Sequence, residues 1–246
     1  LRSFKTEFPI DKLKDLTLND YCIGTGLKDS FCWWIERGLQ PVGYYFPGSS
    51  RSYLLFWSKA KNDYSKHGKL LNDITNNEEA MKLLAKTISD FVINKDFDKT
   101  SGYLGDSFLL KLLHSYYPNE YSPINSVPCL NNVLKLFGID YKNLSPLEKN
   151  LKVQSLYLEL IKKHRTGVSN LEFMKFLFDN FDLKGDISVQ SSSLIVEGES
   201  KIIQFHPAYS YEDFVRGISA KTTINGQIHY EVENKILADF AKKALD

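Results

Sequence analysis

The strongest constraint on the fold is a change of hydrophobic pattern close to residue 76. From residue 78 to residue 181, apolar side chains recur at three- and four-residue intervals, which places them on one face of an α-helix. The clearest run is Met81, Leu84, Ala85, Ile88 and Val92. The segment predicts a bundle of four or five helices, interrupted by a loop over residues 116–124, where two prolines disfavour helix.

Polar residues and glycines mark the ends of several of these helices. Ser145 and Ser169 are each followed three residues later by Glu, which is the capping-box pattern. Pro146 suits the first position inside a helix. Gly138 and Gly167 stand where C-terminal caps are expected. The sequence therefore predicts helix boundaries at these five positions.

The first 75 residues differ in composition, since they are dense in aromatic side chains and punctuated by Gly and Pro. Aromatic residues favour strands, and Gly and Pro favour the turns between them. We expect a small antiparallel sheet that includes a strand over residues 52–57, preceded by a short helix or turn over residues 11–21. This segment has an excess of three positive charges, whereas the whole chain balances 31 basic against 30 acidic side chains. Any nucleic-acid surface must therefore be a local patch.

The last part of the chain returns to strand-like patterns. Strands are predicted over residues 187–196, 201–205 and 227–232, followed by a helix over residues 234–245. Alternation of strands with a helix indicates an α/β segment.

Together the three patterns predict an α+β protein with three domains. These are a β-containing recognition domain (residues 1–75), a helical domain (76–184) and an α/β segment (185–246).

Several classes of site and location are disfavoured by the sequence. Cys22, Cys32 and Cys129 are an odd number at unrelated spacings, which predicts buried free thiols rather than disulfides or a metal site. No catalytic motif is present, and no acid or nucleophile has helical spacing to His114, so we assign no catalytic residue. Residues 1–5 do not read as the apolar core of a signal peptide, and no apolar run approaches membrane-spanning length. A cytoplasmic protein without membrane contact is expected, and the missing initiator Met suggests a natural start further upstream.

The most distinctive motif lies close to the C-terminus. It reads Phe205-His206-Pro207-Ala208-Tyr209-Ser210-Tyr211-Glu212-Asp213-Phe214-Val215-Arg216-Gly217-Ile218. This segment resembles the Gln-Phe-His-Pro-Ser/Ala-Tyr-Ser-Tyr-Glu-Asp-Phe-Val sequence of McrB-like AAA+ NTPases, which act in modification-dependent restriction and phage defence. Looser patterns in residues 8–36 and 109–124 are similar to the N-terminal regions of the same family.

The resemblance implies a DNA-recognition and regulatory portion of a larger motor. The full protein would bind GTP or ATP with Mg²⁺, assemble into a hexameric ring, and drive an McrC-like nuclease on modified or foreign DNA. The phosphate-binding loop Gly-x-x-x-x-Gly-Lys-Ser/Thr and the Walker B acid do not occur in these 246 residues, and residues 24–30 imitate the loop with the wrong spacing. We therefore expect no cofactor and no catalysis from this chain alone.

The motif itself has two interpretations. His206, Tyr209, Tyr211, Glu212 and Asp213 could be polar groups placed near a nucleotide or a subunit boundary. Alternatively the segment is a structural turn, in which a proline ends the strand, the aromatic residues pack and the acids are solvated.

The candidate nucleic-acid surface consists of Trp33, Trp34, Arg37, Arg51 and Lys59. Aromatic faces can stack on exposed or flipped bases, while Lys and Arg contact phosphates. Two adjacent Trp in a strand point to opposite faces, so we expect at least one of them in the core. A protein-interaction adaptor is the alternative function, in which the helices form a docking bundle and the aromatic sheet a partner surface.

Overall fold

The computed structural model describes residues 1–185, 210–222 and 225–243. The chain forms two compact units, Leu1–Leu194 and Ile195–Asp246. The described residues combine helices with two small antiparallel sheets, one in each unit, in agreement with the predicted α+β class. The predicted division at residue 75 falls inside the first unit. The strands predicted over residues 187–196 and 201–205 lie outside the described residues.

The first 75 residues form short helical turns and one hairpin. The helices are α1 (Arg2–Glu7), α2 (Leu18–Tyr21) and α3 (Phe31–Trp33), which continues as a π-helical turn over Trp34–Gly38; 3-10 turns cover Ile10–Asp15, Gln40–Val42 and Ser50–Tyr53. Strand β1 (Leu55–Ser58) pairs with β2 (Asp63–Lys66).

The predicted aromatic sheet is therefore reduced to a single hairpin, and the strand expected from residue 52 begins only at Leu55. Local caps explain the helical turns, because the side chains of Thr17 and Ser30 accept hydrogen bonds from the first turns of α2 and α3. An aromatic composition favours strands only where the rings pack on a sheet. In this protein, rings of the N-terminal segment pack against the helix Asp106–Tyr116 instead. The helix or turn expected over residues 11–21 is present.

Six helices occupy residues 77–180, rather than four or five. They are α4 (Asn77–Asn94), α5 (Phe97–Ser101), α6 (Asp106–Tyr116), α7 (Val127–Leu136), α8 (Pro146–His164) and α9 (Asn170–Asn180). The extra helix is α5, whose five residues are too few to show a hydrophobic period. The loop predicted between α6 and α7 is present.

The predicted helix boundaries are confirmed at four of five positions. Ser145 and Ser169 form capping boxes, and Pro146 opens α8. Gly138 follows α7 with a φ of 66°, a left-handed conformation that glycine adopts without strain. Gly167 was the wrong choice, because α8 already ends at Arg165, which takes the left-handed cap conformation and donates its N–H to the carbonyl of Ile161.

Helix α6 lies at the centre of the first unit. Nine of its eleven residues are buried, so it is covered on every side. Tyr116, at its C-terminal end, donates its hydroxyl to the carbonyl of Phe8 at 2.9 Å and packs its ring 5.4 Å from that of Phe4. The N-terminal segment and the helical segment therefore share one core, which the contiguous cluster of buried apolar side chains also shows.

The second unit contains a β-hairpin with flanking helices. Its elements are α10 (Tyr211–Phe214), β3 (Arg216–Thr222), β4 (Ile228–Asn234) and α11 (Ile236–Lys243). The strand predicted over residues 227–232 and the helix predicted over residues 234–245 are both present, with slightly different bounds. Register pairs Ile218 with Val232 and Ala220 with Tyr230, so these side chains share one face.

Among the helices that the structure describes, none combines the length and the apolar character needed to cross a membrane.

Replacing Ser145 by Ala tests the cap of α8. The change removes the hydroxyl that accepts from the backbone N–H of Glu148, so we expect a loss of about 1 kcal/mol in the free energy of unfolding, measured by urea denaturation. Ser155→Ala is the matched control, because Ser155 is exposed in the interior of the same helix and Ala has the higher helix propensity. Equal losses in both variants would contradict the capping role.

Candidate ligand cleft and the predicted nucleic-acid surface

The two adjacent tryptophans lie on a helical turn, not on a strand. Trp33 ends α3 and Trp34 begins the π-helical turn, and their rings meet edge to face with centroids 5.9 Å apart. Trp34 packs against the core beside Phe4, and a Cβ added at Gly38 would lie 2.4 Å from its ring. The premise of opposite faces was wrong, because successive helical residues project about 100° apart. Trp34 nevertheless belongs largely to the core.

The three basic residues of the predicted surface are exposed but lie on different elements. Arg37 follows the tryptophans on the π-helical turn, and its Nε is 3.4 Å from Oε1 of Glu36. Glu36 also accepts the hydroxyl of Tyr53 at 3.0 Å, which ties this turn to the 3-10 turn that carries Arg51. Lys59 lies between β1 and β2, and among the described residues no side-chain hydrogen bond or ion pair joins it to the others.

Trp34→Ala and Trp33→Ala separate a core role from a surface role. We expect Trp34→Ala to lower the free energy of unfolding by about 2–4 kcal/mol, because its indole fills space beside Phe4 and Gly38. Trp33→Ala should cost less than half as much. Urea denaturation followed by circular dichroism measures both, and equal costs would contradict the assignment of Trp34 to the core.

The structure describes part of the motif that spans residues 205–218. Phe205, His206, Pro207 and Tyr209 lie outside the described residues. The other four signature residues, Tyr211, Glu212, Asp213 and Phe214, form α10.

Asp213, an acid of this motif, has a local structural role. Asp213 accepts the backbone N–H of Ser210 at 3.0 Å and its hydroxyl at 2.9 Å, and these bonds lower the pKa of the Asp213 carboxyl. Tyr211 and Glu212 are exposed and Phe214 is half-buried. The packing expected for Tyr211 in the structural interpretation is therefore wrong, since two-thirds of the residue (66%) is accessible to solvent.

A concave site in the first unit is a cleft of about 990 Å³. Its walls are the loop 40–47, the start of α6, the loop 123–126 that leads into α7, and one side of α9. The sequence does not predict this cleft, because its walls come from four distant parts of the chain. The size is at the upper end of the range for small-molecule and cofactor sites.

The aromatic wall of the cleft comes from three successive residues that alternate in burial. Tyr44 is 58% exposed, Tyr45 5% and Phe46 67%. The rings of Tyr44 and Phe46 lie nearly parallel, with centroids 6.5 Å apart, while Tyr45 packs into the core against Tyr53 and Phe108. The signal in the sequence that could have pointed to the cleft was the run of three aromatic residues between Gly43 and Pro47.

Polar groups surround the aromatic pair. The side-chain amide of Asn125 donates to the carbonyl of Tyr44 at 3.0 Å, and the Lys184 ammonium lies 5.7 Å from the centre of the Tyr44 ring. Asp106 lines the cleft at the start of α6, where partial burial raises the pKa of its carboxyl. These groups could orient a planar ring that stacks on Tyr44 or Phe46.

The cleft as a whole does not favour a polyanion. Three carboxylates, those of Asp106, Glu172 and Asp179, line it together with the ammonium groups of Lys175 and Lys184. The Lys175 ammonium is 3.8 Å from the carboxylate of Asp179, which offsets part of its charge. A ligand inside the cleft would therefore be largely uncharged.

Lys111 is fully buried and holds the backbone that leads into the aromatic wall. Lys111, on α6, donates to the carbonyl of Leu39 at 2.9 Å, to that of Val42 at 3.3 Å and to that of Gly43. Gly43 has a φ of 108°, and a Cβ at this position would collide with the carbonyl oxygen of Pro123. The segment 39–43 is thus held between α6 and the loop 123–126. Burial lowers the pKa of Lys111 to about 7.

His114 lies one turn further along α6 and is also buried. Its Nδ1 donates to the carbonyl of Tyr121 at 2.8 Å, and its Nε2 has no hydrogen-bond partner among the described residues. Burial lowers the pKa of His114 to about 4, and the nearby positive charges of Lys111, Lys5 and the N-terminus act in the same direction. The imidazole is therefore neutral at neutral pH.

The stability of the chain should depend on pH through His114. Its folded pKa of about 4 lies below its ordinary value of 6.5, so the unfolded chain binds more protons between these values. Stability rises with pH across this window and is lost as the pH falls from 6.5 to 4, by about 3 kcal/mol in total. His114→Gln should flatten this dependence in urea denaturation, whereas the exposed His67→Gln should retain it. An unchanged slope in His114→Gln would contradict the assignment.

The three cysteines are free and buried, as predicted. Burial raises the pKa of Cys22 to about 12, so its thiol stays protonated at neutral pH. Within the part of the chain that the structure describes, no three His, Cys, Asp or Glu side chains are grouped so that they could hold a metal ion.

Comparisons with known proteins returned no match. A scan against protein-family models, a search of curated proteins and a search of solved structures each found nothing that matches this chain.

Proposed function

We propose that this chain is the DNA-recognition and regulatory portion of an McrB-like restriction or phage-defence motor. The resemblance of residues 205–218 supports the choice of family. In the full protein the motor binds GTP or ATP with Mg²⁺, forms a hexameric ring and drives an McrC-like nuclease. The observation that carries DNA recognition is the exposed, nearly parallel pair Tyr44 and Phe46 at the cleft.

In this proposal a nucleobase enters the cleft and stacks on the aromatic pair. Base–aromatic stacking contributes about 1–3 kcal/mol for each base and tolerates any sequence. Asn125 and Asp106 supply an amide and a carboxyl at the wall, which are groups that can read the edge of a base. A modified base could be distinguished from an ordinary one by how it fits between these groups.

The phosphates of the DNA remain outside the cleft, because the carboxylates inside would repel them. Arg51 and Arg37 are suited to contact them. Arg51 is exposed and directly precedes Ser52, which lines the cleft, and Arg37 lies three residues before Gln40, another lining residue. Trp33 is half-buried four residues before Arg37, and Lys59 is an exposed cation between β1 and β2 that would contact a phosphate separately.

Fluorescence anisotropy with labelled single-stranded and duplex DNA, over a series of salt concentrations, tests the proposal. We expect affinity to fall steeply with added salt, because phosphate contacts release counterions. Tyr44→Ala combined with Phe46→Ala should weaken binding about tenfold or more at unchanged salt slope. Arg51→Ala should reduce the slope of log affinity against log salt concentration by about one, and it should weaken binding to all DNA sequences alike.

Tyr103→Ala is the matched control, since Tyr103 is 45% exposed and does not line the cleft. It should bind DNA as the unaltered chain does. Absence of any salt-sensitive binding at low ionic strength would contradict DNA recognition. Binding that responds equally to the Tyr103 variant and to the Tyr44–Phe46 variant would show that the cleft is not the site.

A protein-interaction adaptor is the second candidate, and one face of the β3–β4 hairpin favours it. Ile218, Ile228, Tyr230 and Val232 share this face and are 65–72% exposed. Exposed apolar faces of this kind are common at protein–protein interfaces. Association with a partner protein that is insensitive to salt and is weakened by Tyr230→Ser would support the adaptor function instead.

A further inference from the structure

Within the part of the chain that the structure describes, no carboxylate pairs with the buried amine of Lys111. The amine donates there to three backbone carbonyls of the segment 39–43. An ammonium has three N–H donors and can satisfy all three carbonyls. Burying that charge away from water is nevertheless costly, and carbonyl dipoles offset only part of the cost.

The chain next to this buried amine is partly exposed to solvent. Gln40 and Pro41, within the segment that Lys111 holds, are exposed, and so are Tyr44 and Phe46 just after it. Local separation of residues 39–46 from α6 would let the ammonium reach solvent. This separation includes the contacts of Tyr45 with Tyr53 and Phe108.

We propose that Lys111 makes the aromatic wall of the cleft proton-sensitive, so that uptake of a proton by its amine favours release of residues 39–46 from α6. In the closed arrangement the amine is enclosed, and in the released arrangement it is hydrated. Release therefore takes up a proton, and acid shifts the cleft toward the released form.

The direction of the effect follows from linkage. The closed form binds the proton of Lys111 less tightly than a hydrated lysine does, with pKa values of about 7 and 10.5. Between these values release is accompanied by proton uptake, so the closed form becomes more stable as the pH rises. The ratio of closed to released molecules increases by up to about tenfold per pH unit. Below pH 7 both forms are protonated and the dependence disappears.

Two buried groups near Lys111, His114 and Tyr45, keep their charge in this window. His114 has a pKa of about 4 and is already neutral. Burial raises the pKa of Tyr45, which keeps its hydroxyl protonated. Asp106 lies at the start of α6, and partial burial raises the pKa of its carboxyl from an ordinary value of 3.8. Glu36, on the turn before Leu39, is bonded to Tyr53 and Arg37.

Hydrogen exchange of the amides in residues 39–46, measured by mass spectrometry, tests the proposal. After correction for the intrinsic effect of pH on exchange, protection of this segment should be about thirtyfold greater at pH 8.5 than at pH 6. Lys111→Met keeps the side chain unbranched and replaces the titrating amine with an apolar end. Protection in this variant should be equal at the two pH values.

Lys5→Met is the matched control. Lys5 also donates to a backbone carbonyl, that of Tyr116 at 2.6 Å, but it does not hold the segment 39–43. This variant should retain the pH dependence of the unaltered chain. No DNA is used, so the result is independent of whether the cleft binds a nucleobase.

Equal protection at both pH values in the unaltered chain would overturn the proposal, and so would greater protection at pH 6. If Lys111→Met fails to fold, a titration of the unaltered chain with ¹³Cε-labelled lysine decides the question. One lysine signal should titrate far below the others. If every signal titrates near the ordinary value of 10.5, the proposal is wrong.

Discussion

The first unit depends on the enclosure of α6. A helix with nine of eleven residues buried must be covered on all sides, and the helices of the bundle cover only part of it. The aromatic N-terminal segment covers the remainder, through Phe4 and through the bond from Tyr116 to the carbonyl of Phe8. This requirement explains why that segment forms short helical turns. Its rings have a helix to pack on, and short turns let each ring approach it independently.

Enclosure also places polar groups where they cannot reach water. Lys111 and His114 both lie on α6, and each satisfies backbone carbonyls of the loops that cross it. The carboxylate of Glu36 accepts the hydroxyl of Tyr53 and ties its turn to the neighbouring one. These buried contacts fix the positions of loops that have no regular hydrogen-bonding pattern of their own. The loop that forms the aromatic wall of the cleft is one of them.

The features that the sequence predicts well are those encoded within a few residues. Capping boxes at Ser145 and Ser169 locate two helices, because donor and acceptor lie three positions apart. The aromatic sheet was mispredicted, since the same rings suit a strand or a helix surface and the choice depends on distant partners. The cleft was missed for a related reason. Tyr44 becomes part of a site only when Asn125 and Lys184 are folded beside it.

The alternation of Tyr44, Tyr45 and Phe46 joins the surface to the interior. Two rings face the cleft, while the ring between them is wedged beside Phe108, in the first turns of α6. Because one short stretch of backbone carries all three, a molecule that shifts the outer rings must also strain or relieve the inner one. Occupancy of the cleft would then change the rigidity of the protein interior. The cleft is in this sense mechanically coupled to α6.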